Sequence, residues 1–266
     1  MKSDIRTITV NGQRLRIAIH QGDGTRTPLL LMAGIGSSLE TLDPLVDEID
    51  PALEIIRFDV PGTGGSPRPI YPYSLSAYAS LVARMLDQLG YRQIDVLGFS
   101  WGGGLAQQFA FQHATLCRRL ILSSTGTGAT MIPGRLFAIT QLTMPWQLSE
   151  PFFMKEIAAS PFGMSMLSNP ERMREFTRAL YPTDLPGYCY QYWAVLSWSS
   201  MPWLWSLQQP TLILSGNEDP LVPLANAKIM QRLIPHAQLY VYNGGHLGLI
   251  THAEELASVI DEFLLH

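Results

Sequence analysis

Short apolar runs alternate along most of the chain with longer segments whose apolar residues recur at helical spacing. The runs are rich in Val, Ile and Leu, which is typical of strands buried on both faces of a parallel sheet. They comprise Leu29 to Met32, Glu54 to Asp59, Ile94 to Leu97, Leu120 to Ser123, Thr211 to Ser215 and Gln238 to Tyr242. Two more runs, Thr7 to Val10 and Leu15 to Ile19, flank Asn11-Gly12, and this pair predicts a hairpin of edge strands.

The helical segments fill the intervals between these runs. The clearest are Leu75 to Leu89, Gly103 to Gln112, Leu224 to Leu233 and Ala253 to Leu264. Alternation of this kind predicts an α/β fold with a mostly parallel, doubly wound sheet and right-handed crossovers. A chain of 266 residues is long enough for one such core domain with an inserted subdomain.

The alternation stops between residues 125 and 209, where Met, Trp, Pro and Phe become frequent. This stretch holds all but one of the six tryptophans, and its prolines divide it into short predicted helices. We therefore predict a core domain made of residues 1–124 and 210–266, with residues 125–209 inserted as a helical cap. The aromatic residues of such a cap can form a small hydrophobic core or present apolar surface to a substrate.

Composition and charge argue against several kinds of binding partner and location. Hydrophobic residues make up 47% and charged residues 15%, which indicates a folded chain, and the net charge of -4 argues against binding to nucleic acid. The charged start of the sequence and the lack of a long apolar stretch predict a cytoplasmic protein without a membrane span. Cys117 and Cys189 lack the number of a disulfide framework and the spacing of metal ligands, so we expect free, buried thiols.

One predicted strand ends in a sequence with chemical meaning. The run from Ile94 leads into Gly98-Phe99-Ser100-Trp101-Gly102, and a predicted helix follows. In a nucleophile elbow the serine occupies a strained turn between strand and helix, so the residues two before and two after it must be very small. The pattern therefore predicts Ser100 as a nucleophile, although a glycine-flanked surface turn would have the same sequence.

A serine nucleophile needs a histidine base and a carboxylate that orients the histidine. Asp219 and His246 lie in loops that follow the last two predicted strands, and the chain order Ser, Asp, His is that of α/β-hydrolases. Glu218 is a rival for the acid, but an acid followed by Pro220 resembles the usual loop more closely. Of the six histidines, His246 alone follows a late strand through a glycine pair.

Attack on an ester carbonyl creates an oxyanion, which two main-chain N–H groups normally receive. One comes from the residue after the nucleophile, here Trp101. The other is expected from the glycine-rich loop Ala33-Gly34-Ile35-Gly36, where we predict the N–H of Ile35. The alternative for this loop is a strand-to-helix turn without a chemical role.

The same loop permits a second interpretation. Gly34-x-Gly36 after a strand, with Asp59 ending the next strand, partly matches a dinucleotide-binding fingerprint, but Leu39 occupies the third glycine position. The glycine-rich segment from Phe58 to Ser66 lacks the lysine of a phosphate-binding P-loop and is more typical of a tight structural loop.

Several segments together resemble the α/β-hydrolases, and in particular are similar to the intracellular medium-chain-length polyhydroxyalkanoate depolymerases. The matching segments are Gly34-Ile35-Gly36, Phe58-Asp59-Val60-Pro61-Gly62, Gly64-Gly65-Ser66, Ala83-Arg84-Met85-Leu86-Asp87, Ser100-Trp101-Gly102-Gly103, Leu105-Ala106-Gln107-Gln108-Phe109-Ala110, Gln209-Pro210-Thr211-Leu212, Asp219-Pro220-Leu221, Pro235, Ala237-Gln238-Leu239 and Gly245-His246-Leu247. They run through both halves of the predicted core, whereas the cap matches less clearly. One position departs, because Ala33 stands where members of this family carry asparagine.

The resemblance implies a cofactor-free serine hydrolase that cuts ester bonds in polyesters of (R)-3-hydroxy fatty acids at the surface of storage granules. The family's catalytic triad would fall on Ser100, Asp219 and His246. An apolar cap suits a medium-chain acyl group whether it belongs to a polymer or to a small ester. A carboxylesterase acting on soluble medium-chain esters, or a ligand-binding receptor with a vestigial triad, therefore remains an alternative. A dehalogenase or epoxide hydrolase would need a carboxylate at position 100.

Overall fold

The structure, a computed structural model, describes residues 3–136 and 184–265. Eight strands of the described chain form one sheet in the order β1-β2-β4-β3-β5-β6-β7-β8. Their bounds are Asp4–Val10 (β1), Gln13–His20 (β2), Leu29–Met32 (β3), Ile55–Phe58 (β4), Ile94–Phe99 (β5), Cys117–Ser123 (β6), Thr211–Gly216 (β7) and Ala237–Tyr242 (β8). The β1–β2 and β2–β4 pairs are antiparallel, and every other neighbouring pair is parallel. The predicted α/β sheet is confirmed.

The amino-terminal hairpin forms at the predicted turn. Asn11 and Gly12 both have positive φ angles, 49° and 82°, which is the backbone that a two-residue hairpin turn of this type requires. The expectation that both strands lie at the edge is wrong for β2. This strand pairs with β4 on its other side, because its apolar side chains are buried on the sheet.

Helices cover both faces of the sheet. Their bounds are Asp43–Glu48 (α1), Leu75–Gln88 (α2), Trp101–Gln112 (α3), Leu185–Leu196 (α4), Leu224–Leu233 (α5), Gly248–Thr251 (α6) and Ala253–Leu265 (α7), with single 3-10 turns at Leu39–Leu42 and Leu204–Ser206. One buried apolar cluster joins α2, α3 and α5 to the sheet, and a second joins α1, α6 and α7 to its other face. Strands β3, β4, β5 and β7 are therefore buried on both sides, as their continuous apolar runs predict.

The strand order reverses between β3 and β5. The chain passes from β3 to β4 on one side and then returns to place β5 on the other side of β3. In open α/β sheets, ligands bind at the carboxyl ends of the strands beside such a reversal. The loop after β3 and the turn after β5 both lie at this position.

The described part of the predicted cap flanks this edge of the sheet. Helix α4 buries Gly187, Gln191 and Ala194, whereas Trp193 is 65% exposed. The central part of the predicted cap, residues 137–183, lies outside the described residues, so the cap as a domain stays a prediction.

The two cysteines differ in their surroundings. Cys117 is buried in β6, and burial raises the pKa of its thiol. Cys189 is exposed, so the expectation of two buried thiols is wrong for this residue, which lies on the outer side of α4.

Of the helices that the structure describes, none combines the length and the apolar character needed to cross a bilayer.

Candidate active site

Ser100 lies in a strained turn between β5 and α3. Its φ and ψ angles are 54° and -117°, a conformation that side-chain-bearing residues rarely adopt. A Cβ atom at Gly98 would lie 2.4 Å from the carbonyl oxygen of Gly102, and one at Gly102 would lie 2.1 Å from that of Met32. Glycine is therefore required at both positions, and the turn has the strand–turn–helix form that the motif predicts.

The structure brings Ser100, His246 and Asp219 together in one hydrogen-bonded chain. The Nε2 atom of His246 lies 3.0 Å from the Oγ atom of Ser100. Its Nδ1 atom lies 2.9 Å from an Oδ2 atom of Asp219. The side chains of His246 and Asp219 are 6% and 0% exposed, so water competes little with their hydrogen bond.

The carboxylate of Asp219 is fixed by its own loop. Its Oδ1 atom accepts hydrogen bonds from the main-chain N–H groups of Leu221 and Val222, both at 2.9 Å, which leaves Oδ2 directed at His246. Glu218 is exposed, and its main-chain N–H donates to the carbonyl of Gly244. The geometry therefore favours Asp219 over its rival as the acid that orients the histidine.

Contacts around the loop of His246 were not predicted. The hydroxyl of Tyr242 donates to the carbonyl of Gly245 at 3.1 Å and lies 3.3 Å from the hydroxyl of Ser124. The ring of Phe99 packs against the imidazole, with 5.4 Å between the ring centroids. The hydrogen bond from Tyr242 holds the main chain of the histidine loop, and the ring of Phe99 packs against one face of the imidazole.

The glycine-rich loop after β3 lies beside the nucleophile. A Cβ atom at Gly34 would lie 3.6 Å from the Cβ atom of Ser100. Trp101 is the first residue of α3, where a main-chain N–H has no partner within the helix. Among residues 3–136 and 184–265, no hydrogen bond from the main-chain N–H of Ile35 is found either. Both predicted oxyanion donors thus lie in elements that adjoin Ser100.

Two further residues at this site escaped prediction. The hydroxyl of Thr125 donates to the carbonyl of Ser100 at 2.7 Å and ties the strained turn to the end of β6. Gln191 of α4 accepts two hydrogen bonds, from the main-chain N–H of Gly36 at 2.9 Å and from the indole Nε1 of Trp101 at 2.8 Å. The position of Thr125 after a strand was a usable signal, whereas Gln191 lies in a stretch without any motif.

The residues of the dinucleotide interpretation have structural partners. The carboxylate of Asp59 is fully buried and accepts from the main-chain N–H groups of Leu39 and Gly65, both at 2.7 Å, and from Arg16. Burial raises the pKa of this carboxyl group. Because its oxygens hold two loops of the chain, the observed arrangement does not offer them to a ribose.

In the part of the chain that the structure describes, no group of three or more His, Cys, Asp or Glu side chains is arranged to bind a metal.

Comparison with known proteins agrees with this architecture. The family model of the α/β hydrolase fold matches residues 27–253. The chain is 42% identical over 259 residues to a poly(3-hydroxyalkanoate) depolymerase of Ectopseudomonas oleovorans, an alignment that covers 97% of this chain and 92% of the relative.

Solved structures share the fold at low sequence identity. The enol-lactonase of Burkholderia xenovorans LB400 superposes with a TM-score of 0.82 at 20% identity and covers 98% of this chain and 100% of its own. A hydrolase from Pseudomonas aeruginosa PA01 superposes with a TM-score of 0.81 at 22% identity, with 98% of each chain covered. The matched family model, the close relative and the shared fold lead to one conclusion: this chain belongs to the α/β-hydrolase family.

Proposed function

We propose that this α/β hydrolase cleaves carboxylic ester bonds through an acyl-enzyme on Ser100, and that its substrate is medium-chain-length poly(3-hydroxyalkanoate). The observation that carries the proposal is the hydrogen-bonded chain from Ser100 through His246 to Asp219. This chain stands in a protein 42% identical to a poly(3-hydroxyalkanoate) depolymerase. The geometry supports nucleophilic ester chemistry, and the relative supports a poly(3-hydroxyalkanoate) as the substrate.

In the first half of the reaction, Nε2 of His246 removes the proton of Ser100 as Oγ bonds to the ester carbonyl carbon. The imidazolium that forms is stabilised by Asp219, whose remaining oxygen is held by its own loop. The carbonyl oxygen gains the negative charge and accepts hydrogen bonds from the main-chain N–H groups of Trp101 and Ile35. Collapse of this intermediate breaks the ester bond, and His246 protonates the departing alkoxide.

In the second half, His246 removes a proton from water as the water oxygen attacks the acyl-enzyme. The bond between Ser100 and the acyl group then breaks, and His246 returns the proton to the serine oxygen. The products are a carboxylic acid and an alcohol, and for a polyester of 3-hydroxy acids the alcohol is the hydroxyl end of the shortened chain.

The proposed substrate also suggests a place of action. A polyester of medium-chain hydroxy acids is stored as insoluble granules, so we propose that the protein works in the cytoplasm at a granule surface. Apolar side chains near the described end of the predicted cap, such as Leu185 and Trp193, are exposed and suit contact with such a surface.

The test is clearing of a suspension of medium-chain polyhydroxyalkanoate beside a short-chain one. Ser100→Ala serves as the blank, and a soluble octanoate ester measures activity independently of the polymer. We expect clearing of the medium-chain suspension by the wild type and none by the variant. Turnover of the soluble ester without clearing would instead assign the protein to the carboxylesterases, and inactivity on all three substrates would favour a ligand-binding protein.

A further inference from the structure

Gln191 contacts both segments that carry the predicted oxyanion donors. Its side-chain Oε1 accepts from the main-chain N–H of Gly36, the residue after Ile35. Its main-chain carbonyl accepts from the indole Nε1 of Trp101, the other donor residue. One residue of α4 thus bridges the loop after β3 and the start of α3.

We propose that Gln191 is a positioning residue that sets the two halves of the oxyanion hole relative to each other. This inference rests on the proposed function, because the oxyanion hole acts on the ester that Ser100 attacks. The N–H groups of Ile35 and Trp101 belong to different elements, and their spacing must match one developing charge. A hydrogen-bonding bridge between the two elements fixes that spacing before substrate arrives.

The orientation of the glutamine amide is determined by the loop. Only a carbonyl oxygen can accept from the N–H of Gly36, so Oε1 must face this group. Among residues 3–136 and 184–265, the Nε2 atom then has no hydrogen-bond partner, and the residue is 0% exposed. A buried N–H without an acceptor is costly and rare, so the contact between Oε1 and the N–H of Gly36 sets the orientation of this amide although Nε2 stays unpaired.

Helix α4 is itself held firmly enough to serve as a support. A Cβ atom at Gly187 would lie 2.5 Å from the carbonyl oxygen of Gly62, so the helix meets that loop main chain to main chain. Asp184 pairs with Arg68 at 2.9 Å. After the helix, the indole of Trp198 donates to the Oε1 of Gln108 of α3 at 2.7 Å. The helix is therefore anchored at both ends, with Gln191 between the anchors.

Gln209 provides a matched control. It is also a buried glutamine with one hydrogen-bonded end, because its Nε2 donates to the carbonyl of Ala110 at the far end of α3. Its Oε1 has no partner in the described part of the chain, so each of the two glutamines has one bonded and one unbonded amide end. Replacing either by leucine removes a buried amide of the same size, but only Gln191 touches the segments of the oxyanion hole.

The experiment compares Gln191→Leu, Gln209→Leu and the wild type by two rates. The first is the rate at which a fluorophosphonate probe labels Ser100, since its phosphoryl oxygen must enter the oxyanion hole as the serine attacks. The second is kcat and KM on a soluble octanoate ester. We expect Gln191→Leu to lower the labelling rate and kcat by about 10- to 100-fold, somewhat less than the loss of a whole donor, with KM changed by less than about twofold.

Thermal unfolding separates positioning from folding. Gln191→Leu leaves the N–H of Gly36 unpaired but removes the unpaired Nε2, so these opposing effects should keep Tm close to that of the wild type. Should the leucine variant unfold early, Gln191→Met fills similar space with a flexible side chain and repeats the test. Gln209→Leu should keep the wild-type labelling rate whatever its Tm.

Wild-type labelling rates in both Gln191 variants would overturn the proposal. A loss of similar size in Gln209→Leu would overturn it as well, because the effect would then belong to any buried glutamine. Labelling of the wild type without turnover of any ester would remove the proposed function, yet the labelling rates of the variants would still decide the role of Gln191.

Discussion

Two regions meet at the candidate site and are held in place by different means. The loops after β5, β7 and β8 carry Ser100, Asp219 and His246, and each follows a parallel strand of the central sheet. The segment of residues 184–209 has little regular pairing with that sheet and leaves Trp193 and Trp205 about two-thirds exposed, at 65% and 66%. The comparison teaches that strands of the sheet position Ser100, Asp219 and His246, whereas the flanking segment contacts their surroundings through single hydrogen bonds and leaves apolar side chains exposed.

The most severe way to break this comparison is to remove the nucleophile from the sheet side. Ser100→Ala removes only the hydroxyl oxygen, which is the atom that we propose bonds to the acyl group, and we expect the fold to stay intact. We expect kcat on an octanoate ester to fall by about five to six orders of magnitude, as for triads in unrelated hydrolases. Burst-free steady-state kinetics and a far-UV spectrum would measure the loss and verify folding. Residual activity within about a hundredfold of the wild type would exclude an acyl-enzyme on this residue.

Loss of the acid should be smaller but still large. Asp219→Asn keeps the shape of the side chain, but Oδ1 stays with the two main-chain N–H groups, so an amide NH2 replaces the oxygen that accepts from His246 and favours the wrong tautomer of the ring. We expect a fall in kcat of roughly four orders of magnitude. Glu218→Gln is the matched control, because its side chain is exposed and one position away. If the control lost activity and Asp219→Asn retained it, the assignment of the acid would be wrong.

Acyl-chain length tests the flanking region rather than the sheet. Each methylene that becomes buried contributes about 0.8 kcal/mol, so apolar surface beside the nucleophile should favour longer acyl groups. We expect kcat/KM for an octanoate ester to exceed that for the acetate ester by about tenfold or more, since six extra methylenes bury only in part. A series of p-nitrophenyl esters measures this profile. A steady fall from acetate upward would contradict an apolar acyl site.

The smallest expected effect concerns how the flanking helix is anchored. Arg68→Gln removes the ion pair with Asp184. The side chains of Arg68 and Asp184 are 50% and 26% exposed. Exposed ion pairs contribute about 0–1 kcal/mol, so stability should change little and kcat should stay within about twofold. Urea unfolding and ester kinetics measure the two quantities. A large loss of activity would mean that the exposed pair, rather than the main-chain contact between Gly187 and Gly62, anchors the start of α4.

The sheet and the site were predictable from sequence for the same reason. Each strand is a local run of apolar residues, and Ser100, Asp219 and His246 each follow such a run beside a small or turn-forming residue. Parallel strands bring their carboxyl ends to one edge, so order along the chain was enough to predict that these residues meet. The internal position of β2 was missed because it depends on pairing with a distant strand, which no local pattern records.

The contacts that surround Ser100, Asp219 and His246 were harder to predict from the sequence. The hydrogen bond between Gly36 and Gln191 joins residues 155 apart in sequence, and no motif surrounds Gln191 in α4. The exposure of Cys189 was missed for a related reason. Helix α4 is apolar around its circumference, so its sequence does not reveal which face packs against the core.

The long sequence separation of these contacts has a consequence for the order of folding. Ser100 and its strained turn are made of residues near one another in the chain, whereas Gly36 meets Gln191 across 155 residues and Ser100 meets His246 across 146. Contacts that close long loops form late, and a nascent chain lacks Gln191 and His246 when the segment around Ser100 has already been made. Ser100 is therefore translated before the histidine that it contacts, and we expect hydrolytic activity to appear only after these long-range contacts have formed. On refolding, activity should return after the helical signal, at the rate of the slowest long-range closure.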